Sequence, residues 1–152
     1  MNIRQHIYNT ALFLVFVLAL GTHGLLAQGN ESPTLVGSWT FDHGLSMSKM
    51  TPEMQQHLDS LPQLRQQVLT AYEGRKVVFG PNGEYVQSLA DGRSMTATWS
   101  LAGNVITITA PSGASTQEQL TFLDGNRLTL VPMVSGDTKA IIPEWHFIKD
   151  QN

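Results

Sequence analysis

The sequence predicts a mainly β fold: an eight-stranded antiparallel up-and-down barrel with a helical insert between strands one and two. Three observations predict it. Apolar and polar residues alternate with period two through most of 35–149. Turn pairs containing Gly or Asn interrupt that alternation at short intervals, and one stretch, 51–73, has helical spacing instead. Eight strands with one apolar face can bury it by stacking as two sheets or by closing on themselves. Successive short turns favour closure, because a Greek-key sandwich needs long crossings.

Each element has its own justification. In the first strand, 35–43, Leu35, Gly37, Trp39 and Phe41 alternate with Val36, Ser38, Thr40 and Asp42, which turns Trp39 and Phe41 inward. The alternation stops at Gly44, and a Met- and Gln-rich stretch follows. Thr51 can cap a helix there, Pro52 suits its first position, and Glu53 sits favourably at its positive pole. Met54, Leu58 and Leu61 fall at i, i+4 and i+7, and Pro62 then ends one helix and opens another. Leu61, Leu64, Val68 and Tyr72 keep the spacing in the second, and Gly74 supplies its C′ residue. The whole stripe from Met54 to Tyr72 is expected to be buried.

The remaining strands fall near 75–80, 84–90, 94–101, 104–110, 117–123, 127–132 and 141–149. Pro81-Asn82-Gly83, Asp91-Gly92, Gly103-Asn104 and Gly125-Asn126 turn the chain between them. Parity places Met95, Ala97, Trp99 and Leu101 on the inner face of the fourth strand and Leu120 and Phe122 on that of the sixth. In the last strand Trp145 and Phe147 share one face, and Glu144 and His146 take the other.

Composition bounds the function. Apolar residues make up 41% of the 152 and charged ones 14%, which suits a chain with a packed core and not a disordered one. With 9 basic against 12 acidic side chains, the net charge of −3 leaves no electrostatic footprint for nucleic acid. The absence of cysteine excludes disulfides, thiolate metal sites, cysteine nucleophiles and a lipid-anchoring Cys. At the amino end, Arg4 precedes the apolar run from Ala11 to Leu20, and Leu25-Leu26-Ala27 follows. That run is about half the length of a membrane span. Residues 1–27 therefore read as a signal peptide cleaved after Ala27, 28–34 as a short linker and 35–149 as the barrel domain. A secreted or periplasmic location follows, with membrane contact only through the signal segment before cleavage.

The segment Leu35-Val36-Gly37-Ser38-Trp39 resembles the G-x-W signature on the first strand of lipocalins. Phe79, Asn82, Gly83 and Tyr85, with Trp99 followed by Gly103-Asn104 and the alternating strand to Ile108, resemble small secreted bacterial lipocalin-like domains. The resemblance spans about 35–149 and implies a calycin-type barrel whose first connection folds over the open end as a lid. It also implies that a final-strand Arg should cover the signature Trp, where this chain offers only Lys149, a poorer substitute.

Parity gives the candidate ligand-lining residues: Phe41, Phe79, Tyr85, Met95, Trp99, Phe122 and Leu130, with Met54 and Leu58 from the insert. On this reading the partner is a small apolar ligand in or at the mouth of the barrel. On the alternative reading the same side chains fill the barrel, leaving a structural or protein-interaction domain of the cell envelope without a ligand. No catalytic residues are assigned and no enzyme activity is expected, since a nucleophile elbow and paired carboxylates are both missing. The carboxylates, Glu118 among them, read as turns, helix surface and strand outer faces. No metal or cofactor is assigned either. His43, His57 and His146 are not at ligand spacing, and Met47, Met50, Met54 and Met95 suit packing or apolar contact better than copper.

Overall fold

In the computed structural model, which describes residues 34–136 and 139–151, eight antiparallel strands close into a barrel in chain order. The predicted signal segment and the linker up to residue 33 lie outside the described residues. The strands are β1 Gly37–Phe41, β2 Lys76–Phe79, β3 Glu84–Ser88, β4 Ser94–Ala102, β5 Val105–Thr109, β6 Ser115–Leu123, β7 Arg127–Met133 and β8 Trp145–Lys149. Closure is made by β1 against β8, with Trp39 opposite Lys149 and Phe41 opposite Phe147. On the outside of this seam Asp150 accepts from Ser38 Oγ at 2.7 Å and Thr40 Oγ1 at 2.6 Å, and pairs with Lys76 at 3.2 Å. These bonds hold the Asp150 carboxyl below its ordinary pKa and fasten β1 to both neighbours.

Three helices connect β1 to β2: α1 His43–Met47, α2 Pro52–Ser60 and α3 Pro62–Tyr72. Thr51 caps α2 as its sequence predicts, its Oγ1 accepting from the Met54 N–H. The joint between α2 and α3 falls at Leu61, whose φ of −125° and ψ of 79° leave the helix before Pro62 restarts it. That departure corrects one expectation. Leu61 rotates out of the apolar stripe and is 42% exposed, while Leu58 and Val68 are buried and Met54, Leu64 and Tyr72 pack against the core. The short helix α1 is unexpected. It has too few residues for a periodic signal, and its mark in the sequence is Asp42, whose Oδ1 accepts from the Leu45 N–H at 3.0 Å. At the far end of the insert Gly74 stops α3 with a φ of +70°, and a Cβ there would lie 3.0 Å from Ala90 Cβ.

One half of the barrel is solid. Trp39 is fully buried and donates from Nε1 to the Leu35 carbonyl at 2.9 Å. Phe79 meets Tyr85 and Trp99 edge-on, each at 5.3 Å between centroids, and Trp99 Nε1 donates to the Gly80 carbonyl. Ile106, Leu128, Leu130 and Phe147 fill what remains. Lys149 is a better cover for Trp39 than its residue type promised, because its Nζ lies 5.2 Å from the ring centroid. Gly37 makes room for it: with a φ of +145°, a Cβ at that position would stand 2.9 Å from Lys149 Cε. The first residue of the G-x-W segment thus lets the last strand reach its third.

Strand parity fails at one place. A register shift in β6 puts Leu120 opposite Leu130, then Phe122 opposite Thr129 and Leu123 opposite Leu128. This bulge turns Phe122 outward, to 44% exposure beneath the Arg127 guanidinium, and Leu123 packs on the core in its place. Leu101 keeps its inward parity, opposite Ile106, and its exposure comes from its place next to the β4–β5 hairpin tip.

Candidate functional site

The other half of the barrel is hollow. A cavity of about 410 Å³ opens at the end where β1 finishes and β2 begins. Its apolar wall comes from Met95 of β4, Ile108 of β5, Pro132 and Met133 of β7, and Ile141 in the connection before β8. Tyr72 of α3 and Trp145 of β8 add aromatic faces. A space of this size is within the ordinary range for small-molecule sites.

Polar groups enter this wall from β3, from β6 and from the residue just before β2, each two residues from an inward apolar neighbour. Arg75 precedes Val77, Gln87 follows Tyr85 and Glu118 precedes Leu120, so period two carries all three inside. Arg75 and Glu118 are only 8% and 5% exposed. Arg75 donates from Nη2 to Gln87 Oε1, and the Tyr85 hydroxyl donates to the same oxygen at 3.2 Å. The guanidinium carbon lies 4.7 Å from the Trp145 ring centroid and 5.5 Å from that of Tyr72, against two rings that also meet each other at 5.9 Å.

The electrostatics are unusual for so small a space. Among the described residues no carboxylate lies within ion-pairing distance of Arg75, although Glu118 shares the cavity wall with it. Burial pushes the Glu118 carboxyl up to about 7, against a smaller downward pull from Arg75. Burial likewise pushes the Tyr85 phenol up to about 12. Arg75 Nε and Trp145 Nε1 are both buried without a hydrogen-bond acceptor. Unmet donors of this kind mark a place where a polar partner is missing.

The sequence-predicted lining residues divide into groups. Tyr85 and Met95 border the cavity. Phe41, Phe79, Trp99 and Leu130 point inward but pack into the solid core, and Leu58 is buried beneath the insert with Met54 half-buried beside it. Phe122 lies outside altogether. Arg75, Gln87 and Glu118 were missed, and Glu118 does not lie on an outer face as expected. The signal that finds them is the same parity that placed their neighbours.

A second concavity, about 370 Å³, lies outside the barrel wall between α1 and β7–β8. There His146 Nδ1 is 3.1 Å from Thr129 Oγ1, and Glu144 Oε2 approaches Nε2 at 3.2 Å without hydrogen-bond geometry. Thr129 stands opposite His146 in the β7–β8 register, which by itself accounts for their contact. The His146 backbone N–H donates to Ser46 Oγ at 2.9 Å, fastening α1 to the strand. These bonds hold the wall together. Among the described residues no three His, Asp or Glu side chains gather as a metal site would require. No protein-family model, curated protein or solved structure matches this chain.

Proposed function

We propose that this protein is an exported lipocalin-like module that binds a small, mainly apolar molecule in the cavity at the open end of its barrel. The single observation that carries the reading is the half-hollow interior. A barrel that served only as a scaffold gains stability by filling its core, yet here Met95, Ile108, Pro132, Met133 and Ile141 surround open space. The packed half supports the opposite reading, a filled structural or interaction domain of the envelope. The insert bears on both, since its apolar stripe rests on the core with Leu58 and Val68 buried and so acts as a fixed cap.

A neutral apolar fluorophore, N-phenyl-1-naphthylamine, separates the two readings. It should bind saturably to the folded protein at a single site and brighten as it leaves water. Met95→Trp, at the exposed rim of the cavity, should block that binding while leaving the melting temperature within a few degrees of the parent. Absence of saturable brightening in the parent protein would leave the filled-barrel reading standing. Export is tested separately: chain recovered from outside the cytoplasm should begin at or near Gln28, and a mature chain that keeps Met1 would overturn it.

A further inference from the structure

We infer that the cavity selects molecules that end in a carboxylate, which the Arg75 guanidinium holds, over neutral or cationic molecules with the same apolar part. This inference rests on the binding reading above and names the ligand's chemical class. Among the described residues, the titratable groups on the cavity wall are Arg75, Glu118, Tyr72 and Tyr85. Of these, both tyrosines are raised by burial and stay neutral, and Glu118 is protonated over much of the range below neutrality. Among the described residues, the fixed charge left on the wall is one guanidinium.

That charge is costly as it stands. Arg75 is nine-tenths buried, and its Nη2 donates to the neutral Gln87 amide. Its Nε has no acceptor. A buried cation of this kind is stabilised by a counter-charge far more than an exposed one is, because little water screens it. Contact with the Tyr72 and Trp145 rings and the bond to Gln87 hold the guanidinium in place, so a carboxylate can meet it without ordering a flexible side chain first. A single negative charge balances a single guanidinium, whereas a dianion such as a phosphate monoester would leave an excess. Beyond the charged group, Met95, Ile108, Pro132, Met133 and Ile141 offer an apolar bed for the remainder of the molecule. A cationic head would face Arg75 across the same short space and be repelled.

The test uses three molecules with one apolar chain: octanoate, octanol and octylamine, titrated calorimetrically into the protein at about pH 6, where Glu118 is mostly protonated. Octanoate is expected to bind about tenfold or more tighter than octanol, and octylamine weakest. Arg75→Met, which keeps an apolar side chain against Trp145 and Tyr72, should bring octanoate down to the octanol level and leave octanol unchanged. Equal affinity for octanoate and octanol in the parent protein, or a preference for the amine, overturns the inference while the binding reading survives. Binding of none of the three overturns both. A folded Arg75→Met protein that still prefers octanoate also overturns it. Should that variant fail to fold, Arg75→Lys takes its place. It keeps the charge and loses the two-pronged guanidinium fork, so a weakened preference for octanoate is expected and an undiminished one counts against the Arg75 assignment.

Discussion

Trp39→Ala is expected to lower the free energy of unfolding by about 3–5 kcal/mol, in the range of large aromatic deletions from cores. Three losses fall together. The indole is fully buried, so its removal opens a void that the neighbouring strands cannot close without breaking the β1–β8 seam. Its Nε1 bond to the Leu35 carbonyl is lost, which frees the segment entering β1. The Lys149 ammonium loses the ring it lies against. Trp39→Phe keeps part of the volume without the N–H donor and should cost distinctly less. Urea melts of the three proteins measure the differences, and a loss under about 1 kcal/mol for the alanine variant would mean that the ring is not in the core.

The same residue shows why the barrel was legible in the sequence. Where a strand faces the core on one side only, each inward position demands an apolar residue and each turn demands Gly or Asn. Parity at Trp39, Val77, Phe79, Ile106, Leu128 and Phe147 therefore reports directly on the fold. Short strands and tight turns then order the strands, because sequential neighbours are joined by too few residues to cross. The failures lie where something other than parity decides. The β6 bulge slips the register by one residue, and nothing in Leu120-Thr121-Phe122-Leu123 distinguishes an even strand from a slipped one. Leu61 continued the helical spacing of its neighbours, but Pro62 took its backbone out of the helix. The Asp42 cap of α1 resembled an ordinary outward strand residue.

The cavity was harder to read than the barrel for a physical reason. Polar side chains are usually exposed, and that prior overrode period two at Arg75, Gln87 and Glu118, although each has the parity of an inward neighbour. A binding site inside a small barrel needs polar groups at inward positions, so it appears in sequence as a break in the apolar pattern. The apolar candidates were drawn from the residues that best satisfied that pattern, and such residues fill the packed half: Phe79, Trp99 and Leu130 are there, while Tyr85 and Met95 reach the hollow. The informative positions were the ones that broke the rule.

Glu118→Gln tests that conclusion through stability and pH. The folded protein raises the Glu118 carboxyl from an ordinary value of 4.5 to about 7, chiefly by burial, so the folded state binds its proton more tightly than the unfolded chain does. The sign follows: the stability linked to this group is full below the unfolded pKa, declines as pH rises through the folded one, and is constant above it. Glutamine cannot ionise and escapes the decline. At about pH 4 the two proteins should unfold at similar denaturant concentrations, and at about pH 8 the glutamine variant should be the more stable by about 1–3 kcal/mol. Taking the difference between the two proteins at each pH cancels every other titrating group. An outward Glu118, as polarity alone suggests, would keep the two stability curves parallel from acid to base. A gap that opens as pH rises, on the other hand, requires the carboxyl to sit inside the wall, in the low-dielectric space it shares with Arg75. That space is where a ligand's own carboxylate would have to compete with it, so the same substitution should also flatten the fall in octanoate affinity between about pH 6 and pH 8, where the probe itself stays ionised.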